Sequence, residues 1–146
     1  QESSYYHLSH NVSNLVYHFL CPAKYRRVVI DESVDECIRQ TCMGIELRYE
    51  WISFLEIGTD KDHVHFLIQS VPSKSPQEII RVVKSITAKR VFAEHPEVKK
   101  KLWGGEFWSD GYFVTSVGKN TNEAVIQKYV KQQGTQDEYK QLYMKV

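Results

Sequence analysis

The sequence predicts an α+β fold, a four-stranded antiparallel sheet with helices on one face, and three observations lead there. His63, His65 and Leu67 interleave with Val64, Phe66 and Ile68, the period of two of a strand with one apolar face. Two stretches beginning at Asp31 and Ser75 carry helix caps followed by apolar residues at helical spacing. Strand and helix signals fall in the order β-α-β-β-α-β, which describes a ferredoxin-like (RRM-like) sandwich, followed here by one more helix.

Taken in order, Val12 to Cys21 alternates as a strand. Asp31 to about Arg48 reads as a helix with an N-cap, an acidic first turn and Val34, Ile38 and Ile45 as anchors. A strand follows near Trp51 to Ile57, then a turn at Gly58-Thr59-Asp60 and the histidine strand to about Val71. Ser75-Pro76-Gln77-Glu78 forms a capping box with Pro in the first turn, and the helix runs to about Glu94, burying Ile79, Val83 and Ile86. Tyr112 to Val117 is the fourth strand. Asn120-Thr121-Asn122-Glu123 opens a last helix that continues through Gln133 and stops at Gly134. With helices on one face of the sheet, the histidines lie on the other, and the last helix must come there to meet them.

Composition fits a single domain over residues 1–146. At 42% hydrophobic and 12% aromatic content the chain can bury a sizeable core. There is no repeat or low-complexity tract, and no apolar run near the ~18 residues that span a bilayer, so a soluble protein is expected. No secretory signal is present, and the chain opens at Gln1 without an initiator Met, so a few residues are expected to precede it. Cys21, Cys37 and Cys42 are an odd number without C-x-x-C spacing, which suggests reduced thiols in a cytosolic protein.

The chemistry concentrates in two places. His63 and His65 stand about 7 Å apart at Cα on one strand face, from a rise of roughly 3.3 Å per residue, and can converge on one divalent metal ion. The plainer reading is two solvated or hydrogen-bonded histidines. Far downstream, Tyr129 and Gln133 share one face of the last helix about one turn apart, ~5.4 Å. One is a candidate nucleophile and the other a candidate oxygen ligand, although Ile126, Tyr129 and Val130 also fit an apolar stripe that packs.

The net charge of +1 hides an asymmetry. Residues 31–62 carry nine acidic and three basic side chains, net −6, whereas residues 63–101 carry three acidic and eight basic, net +5. Arg81, Lys84 and Lys89 line a stripe of the second helix, and Lys99-Lys100-Lys101 follows with Trp103 and Trp108 nearby. Lys24-Tyr25-Arg26-Arg27 is a second basic cluster. Basic groups beside aromatic ones suit unpaired nucleotides, through phosphate attraction and base stacking; a solvated helix face is the alternative.

These motifs together resemble the single-tyrosine HUH transposases, TnpA, of insertion sequences that move as single-stranded DNA. The resemblance runs over nearly the whole chain. It covers Leu15-Val16-Tyr17-His18, Lys24 to Arg27, His63-Val64-His65, Leu102-Trp103, Trp108, Gly111 to Gly118, and Tyr129 with Gln133. It implies that His63, His65 and Gln133 ligate Mg²⁺ or Mn²⁺, and that Tyr129 attacks a DNA phosphodiester to give a 5′-phosphotyrosine link. It further implies single-stranded DNA with hairpins as partner, a homodimer whose tyrosine helix can complete its partner's site through a hinge near Gly118, and a prokaryotic cytoplasmic location. Such phosphoester exchange needs no ATP. Gly118-Lys119-Asn120 accordingly lacks the glycine spacing and terminal hydroxyl of a P-loop, so no nucleotide cofactor is expected.

Other enzymes fit the residues less well. A histidine-triad hydrolase needs a third His where Leu67 stands, a cupin needs a carboxylate where Gln69 and Ser70 stand, and a two-histidine phosphoesterase needs a second H-x-S/T motif. Two alternatives stay open: a noncatalytic single-strand binder on the same sheet, and a domesticated relative that nicks repeated palindromes without mobilising itself.

Overall fold

A computed structural model describes residues 6–8, 11–13 and 15–117 of the chain. A short antiparallel pair, β1 (Tyr6–Leu8) and β2 (Asn11–Ser13), precedes the main sheet. The single strand expected over Val12 to Cys21 is therefore two, and the longer, β3, spans Leu15–Pro22. A 3₁₀ turn at Lys24–Arg26 leads into α1 (Glu32–Arg48). Then come β4 (Ser53–Thr59), β5 (His63–Ser70), α2 (Pro76–Glu94), the short α3 (Pro96–Lys101) and β6 (Phe113–Val117).

The sheet order is β4-β5-β3-β6, antiparallel throughout, so the two long central strands are the ones that carry histidines. This is the expected ferredoxin-like order, with the helices on one face. The helix caps form as predicted. Asp31 accepts from the Val34 backbone N–H at 2.9 Å, and Ser75 and Glu78 exchange both bonds of the capping box. Val34, Ile38, Cys42 and Ile45 of α1 and Ile79, Ile80, Val83 and Val91 of α2 then pack with Phe19, Val64, Phe66 and Ile68 in one core. Ile86, expected in that core, is half-buried at its edge.

Two features of the sheet were not predicted. Every residue of β5 is buried, including the histidine side, so the strand is covered on both faces rather than half-solvated. A second small cluster on the far face, Val16 and Leu67 with Leu55 and Val117 against them, anchors it there. The strand β4 also runs on through Thr59, with a bulge between Phe54 and Glu56. Gly58 thus lies inside the strand, in register with His65, and not in a turn. The reversal is made one step later, where the Asp60 N–H bonds to the His63 carbonyl at 2.9 Å.

Candidate active site

The site lies on the sheet face turned away from α1 and α2. There β5 presents His63 and His65, 4% and 6% exposed, and β3 presents His18. Register places Leu20 opposite His65 and His18 opposite Leu67, so His18 and His65 are diagonal neighbours with ring centroids 5.4 Å apart. Burial first and the His65 ring second push His18 down to about 3, and burial first, then His63 and Arg39, push His65 down to about 4. Both rings are neutral at physiological pH, the state in which imidazole ligates a metal.

Each strand histidine has a neighbour that fits it for that role. The Nδ1 of His63 lies 2.7 Å from an oxygen of Asp62, and the other Asp62 oxygen accepts from the Arg26 guanidinium at 3.2 Å. A neutral ring that donates Nδ1–H to a carboxylate carries its lone pair on Nε2, the arrangement by which carboxylates orient metal-binding histidines. His65 lies over Gly58. A Cβ built on Gly58 would stand 1.7 Å from His65 Nε2 and 2.4 Å from Cε1, so the absent side chain is the space the imidazole fills. Two imidazoles on one buried face, one oriented by a carboxylate and the other cradled by a glycine, fit a divalent cation that accepts nitrogen ligands.

Tyr129, Gln133 and the helix expected to carry them lie outside the described residues, as does Gly118. The basic and aromatic residues separate into two groups. Arg27, Arg81, Lys89 and Trp103 are exposed, and a groove of about 670 Å³ between α2 and the loop before β6 is lined by Arg81, Lys84, Lys89 and Phe92. Lys84, however, ties α2 to that loop, donating to the carbonyls of Ser109 at 2.8 Å and Asp110 at 3.3 Å. Lys24 pairs with Glu106 at 3.5 Å and Asp110 at 3.4 Å, and Arg26 with Asp62. Trp108 corrects an expectation. It is 4% exposed, stacks edge-on with Phe107 and donates its indole N–H to Thr87 at 3.0 Å, so it offers no open face for a base.

A separate donor group, Cys37, Glu94 and His95, has its ligand atoms within 4.8 Å of one another. It sits where α1 meets the end of α2, across the sheet from the histidine pair. Burial and the adjacent Glu94 raise its Cys37 thiol, and Glu94 is itself paired with Arg90.

A family model described as "Transposase IS200 like" matches residues 11–133. The chain belongs to that family. The match includes Tyr129 and ends at Gln133. Among curated proteins, the chain is 31% identical over 122 residues to the ISDra2 transposase TnpA of Deinococcus radiodurans, covering 84% of this chain and 86% of that protein. It is 32% identical over 136 residues to the transposase of insertion sequence element IS200 of Salmonella typhimurium, covering 89% and 84%. A crystal structure described as that of a "putative transposase" from Deinococcus radiodurans R1 superposes with a TM-score of 0.70 at 26% identity, over 88% of this chain and 97% of that one. The protein is thus an insertion-sequence transposase of the IS200 type, a DNA-processing enzyme. Among the described residues no helix is long and apolar enough to cross a membrane.

His18, Gly58 and Asp62 were given no role in the histidine site from the sequence. For Asp62 the signal was present, a carboxylate directly before H-x-H. For Gly58 and His18 it was not, because their relation to His65 exists only through strand register.

Proposed function

We propose that this transposase cuts and rejoins single-stranded DNA at hairpin-marked ends through a 5′-phosphotyrosine intermediate. Tyr129 is the nucleophile, and His63, His65 and Gln133 hold Mg²⁺ or Mn²⁺. The observation that carries the reading is the pair of buried imidazoles on one sheet face, one held by Asp62 and the other lodged over Gly58. When bound, such an ion polarises and orients the scissile phosphate.

The covalent step balances without a cofactor. The Tyr129 oxygen forms a bond to the 5′ phosphorus, the bond from phosphorus to the 3′ oxygen breaks, and the phenol proton is lost as the 3′ oxygen gains one. A 3′-hydroxyl attacking the phosphotyrosine reverses these steps on a new strand. One phosphate ester replaces another of similar energy, so resealing needs no nucleotide. Domain 1–146 acts as a homodimer in this reading, with the tyrosine helix completing the site of its own or its partner subunit.

The test uses labelled single-stranded DNA from both flanks of the coding sequence, incubated with the protein and Mn²⁺ and resolved on a denaturing gel. A protein-linked product is expected with wild type and not with Tyr129→Phe, while hairpin binding persists in both. Equal cleavage of the duplex, or an adduct that survives Tyr129→Phe, would refute the reading.

A further inference from the structure

We propose that Tyr25 and Trp103, with Arg27 beside them, form a stacking platform for one unpaired nucleobase next to the histidine site; the proposal rests on the single-strand reading above. Tyr25 is 57% and Trp103 68% exposed, although both are large aromatic residues and their rings touch edge-on with centroids 5.1 Å apart. The Arg27 guanidinium lies 4.8 Å from the Trp103 ring centre, and the Lys24 ammonium 5.6 Å from that of Tyr25. Aromatic surface held in water beside cations is the makeup of sites that take a base on a ring and its phosphate on a charge.

The backbone there is unusual as well. Tyr25, Arg26 and Trp103 are the non-glycine residues with positive φ among the described residues, at 59°, 53° and 56°. Bulky side chains rarely adopt that region, and such conformations gather at ligand sites. The two segments are held together beneath the rings: the Lys24 N–H donates to the Phe107 carbonyl at 2.8 Å, Ala23 and Trp108 form a β-bridge, and Lys24 pairs with Glu106 and Asp110. The platform is therefore ordered before ligand arrives, which spares it that entropic cost on binding.

Its position points to DNA and not to an apolar protein partner. Arg26, between Tyr25 and Arg27 in the same turn, reaches Asp62, which holds His63. One turn of chain thus joins the exposed rings to the histidine pair through a single carboxylate. A nucleotide stacked on Trp103 lies on the flank of the strand being cut.

The experiment uses the full chain and the same flanking single strands, prepared as a series with one abasic site moved along the unpaired segment beside the hairpin. Binding is read by fluorescence anisotropy without added metal. Wild type should lose roughly tenfold in affinity at one abasic position, the worth of one stacked base. Trp103→Ala should lose the same on intact DNA and nothing further at that position, Tyr25→Ala should follow it, and Trp103→Phe should recover most of the binding. Wild-type affinity in both alanine variants, or losses that multiply at every abasic position, would overturn the platform. Adduct formation by wild type on the same DNA separates the two ideas. Its absence fails the proposed chemistry, whereas an adduct-forming enzyme indifferent to Trp103→Ala fails the platform alone.

Discussion

Gly58→Ala reports on the histidine site through the sign of its effect. The backbone at Gly58 is an ordinary strand conformation, without positive φ. On backbone grounds alone alanine would stabilise the protein by about 0.4–1 kcal/mol, by restricting the unfolded chain. The structure predicts the opposite. The new Cβ would stand 1.7 Å from His65 Nε2, whereas ordinary contact begins at 3.4 Å, so the ring must retreat by about the difference between those distances. It has little room, because His65 is buried, its strand is locked in register between Leu20 and Gly58, and the His18 ring stands 5.4 Å away. Overpacking of this kind costs about 1–3 kcal/mol, or a melting temperature lower by about 3–10 °C in a chain of this size. Metal affinity should fall more sharply, because a ligand displaced by more than an ångström is far outside the ~0.2 Å tolerance of a coordination bond. Thermal melts of both proteins with and without Mn²⁺ measure the two effects. A Gly58→Ala protein that melts at or above wild type and keeps its Mn²⁺-induced shift would show that His65 does not occupy the space over Gly58.

Four further predictions follow from particular contacts. Asp62→Ala should weaken Mn²⁺ binding by about 10–100-fold with little change in the metal-free melting temperature; unchanged affinity by calorimetry would remove its orienting role. Trp108→Ala should cost about 3–5 kcal/mol in urea unfolding, as removal of a core aromatic does, whereas the exposed Trp103→Ala should stay within about 0.5 kcal/mol. Burial pushes the Cys21 thiol up to about 12, and raises Cys42 and, with Glu94 adding to it, Cys37, so a disulfide reagent at pH 8 should find all three inert until the protein unfolds; one rapidly labelled native thiol contradicts this. With Lys24, Arg26 and Lys84 engaged in contacts within the protein, the predicted cations left for phosphates are Arg27, Arg81, Lys89, Lys99, Lys100 and Lys101, so log affinity for single-stranded DNA should fall with log salt at a slope near about −4, where all nine would give about −6.

Elements whose signals are local were readable from the chain. The caps at Asp31 and Ser75, the helix anchors apart from Ile86, and the apolar half of β5 each declare themselves within a few residues, and the structure places them where the pattern does. What could not be read depends on pairing between distant segments. Gly58 looks like turn punctuation in sequence because a strand glycine acquires its meaning only from the residue opposite, and His65 is opposite by register. Trp108 looked like a surface ring because it follows a lysine run, yet Thr87 on α2 and Phe107 beside it draw it inward. The Pro96 start of α3 was a local signal that the lysines after it obscured, since basic residues in a final helical turn also satisfy the helix dipole.

The charge balance of the proposed site gives a reason for its ligand types. Imidazole ligates a metal as an uncharged ring, Gln133 would contribute an uncharged amide, and the carboxylate bonded to the pair among the described residues, Asp62, stands behind His63 and is matched by Arg26. A divalent ion held by such a set keeps nearly its full charge, which the phosphodiester is then left to neutralise. A carboxylate in the place of Gln133 would supply part of that neutralisation from the protein and weaken the attraction for substrate. Gln133→Glu should therefore bind Mn²⁺ more tightly than wild type and yet form less covalent adduct, a divergence that simple damage to the metal site would not produce.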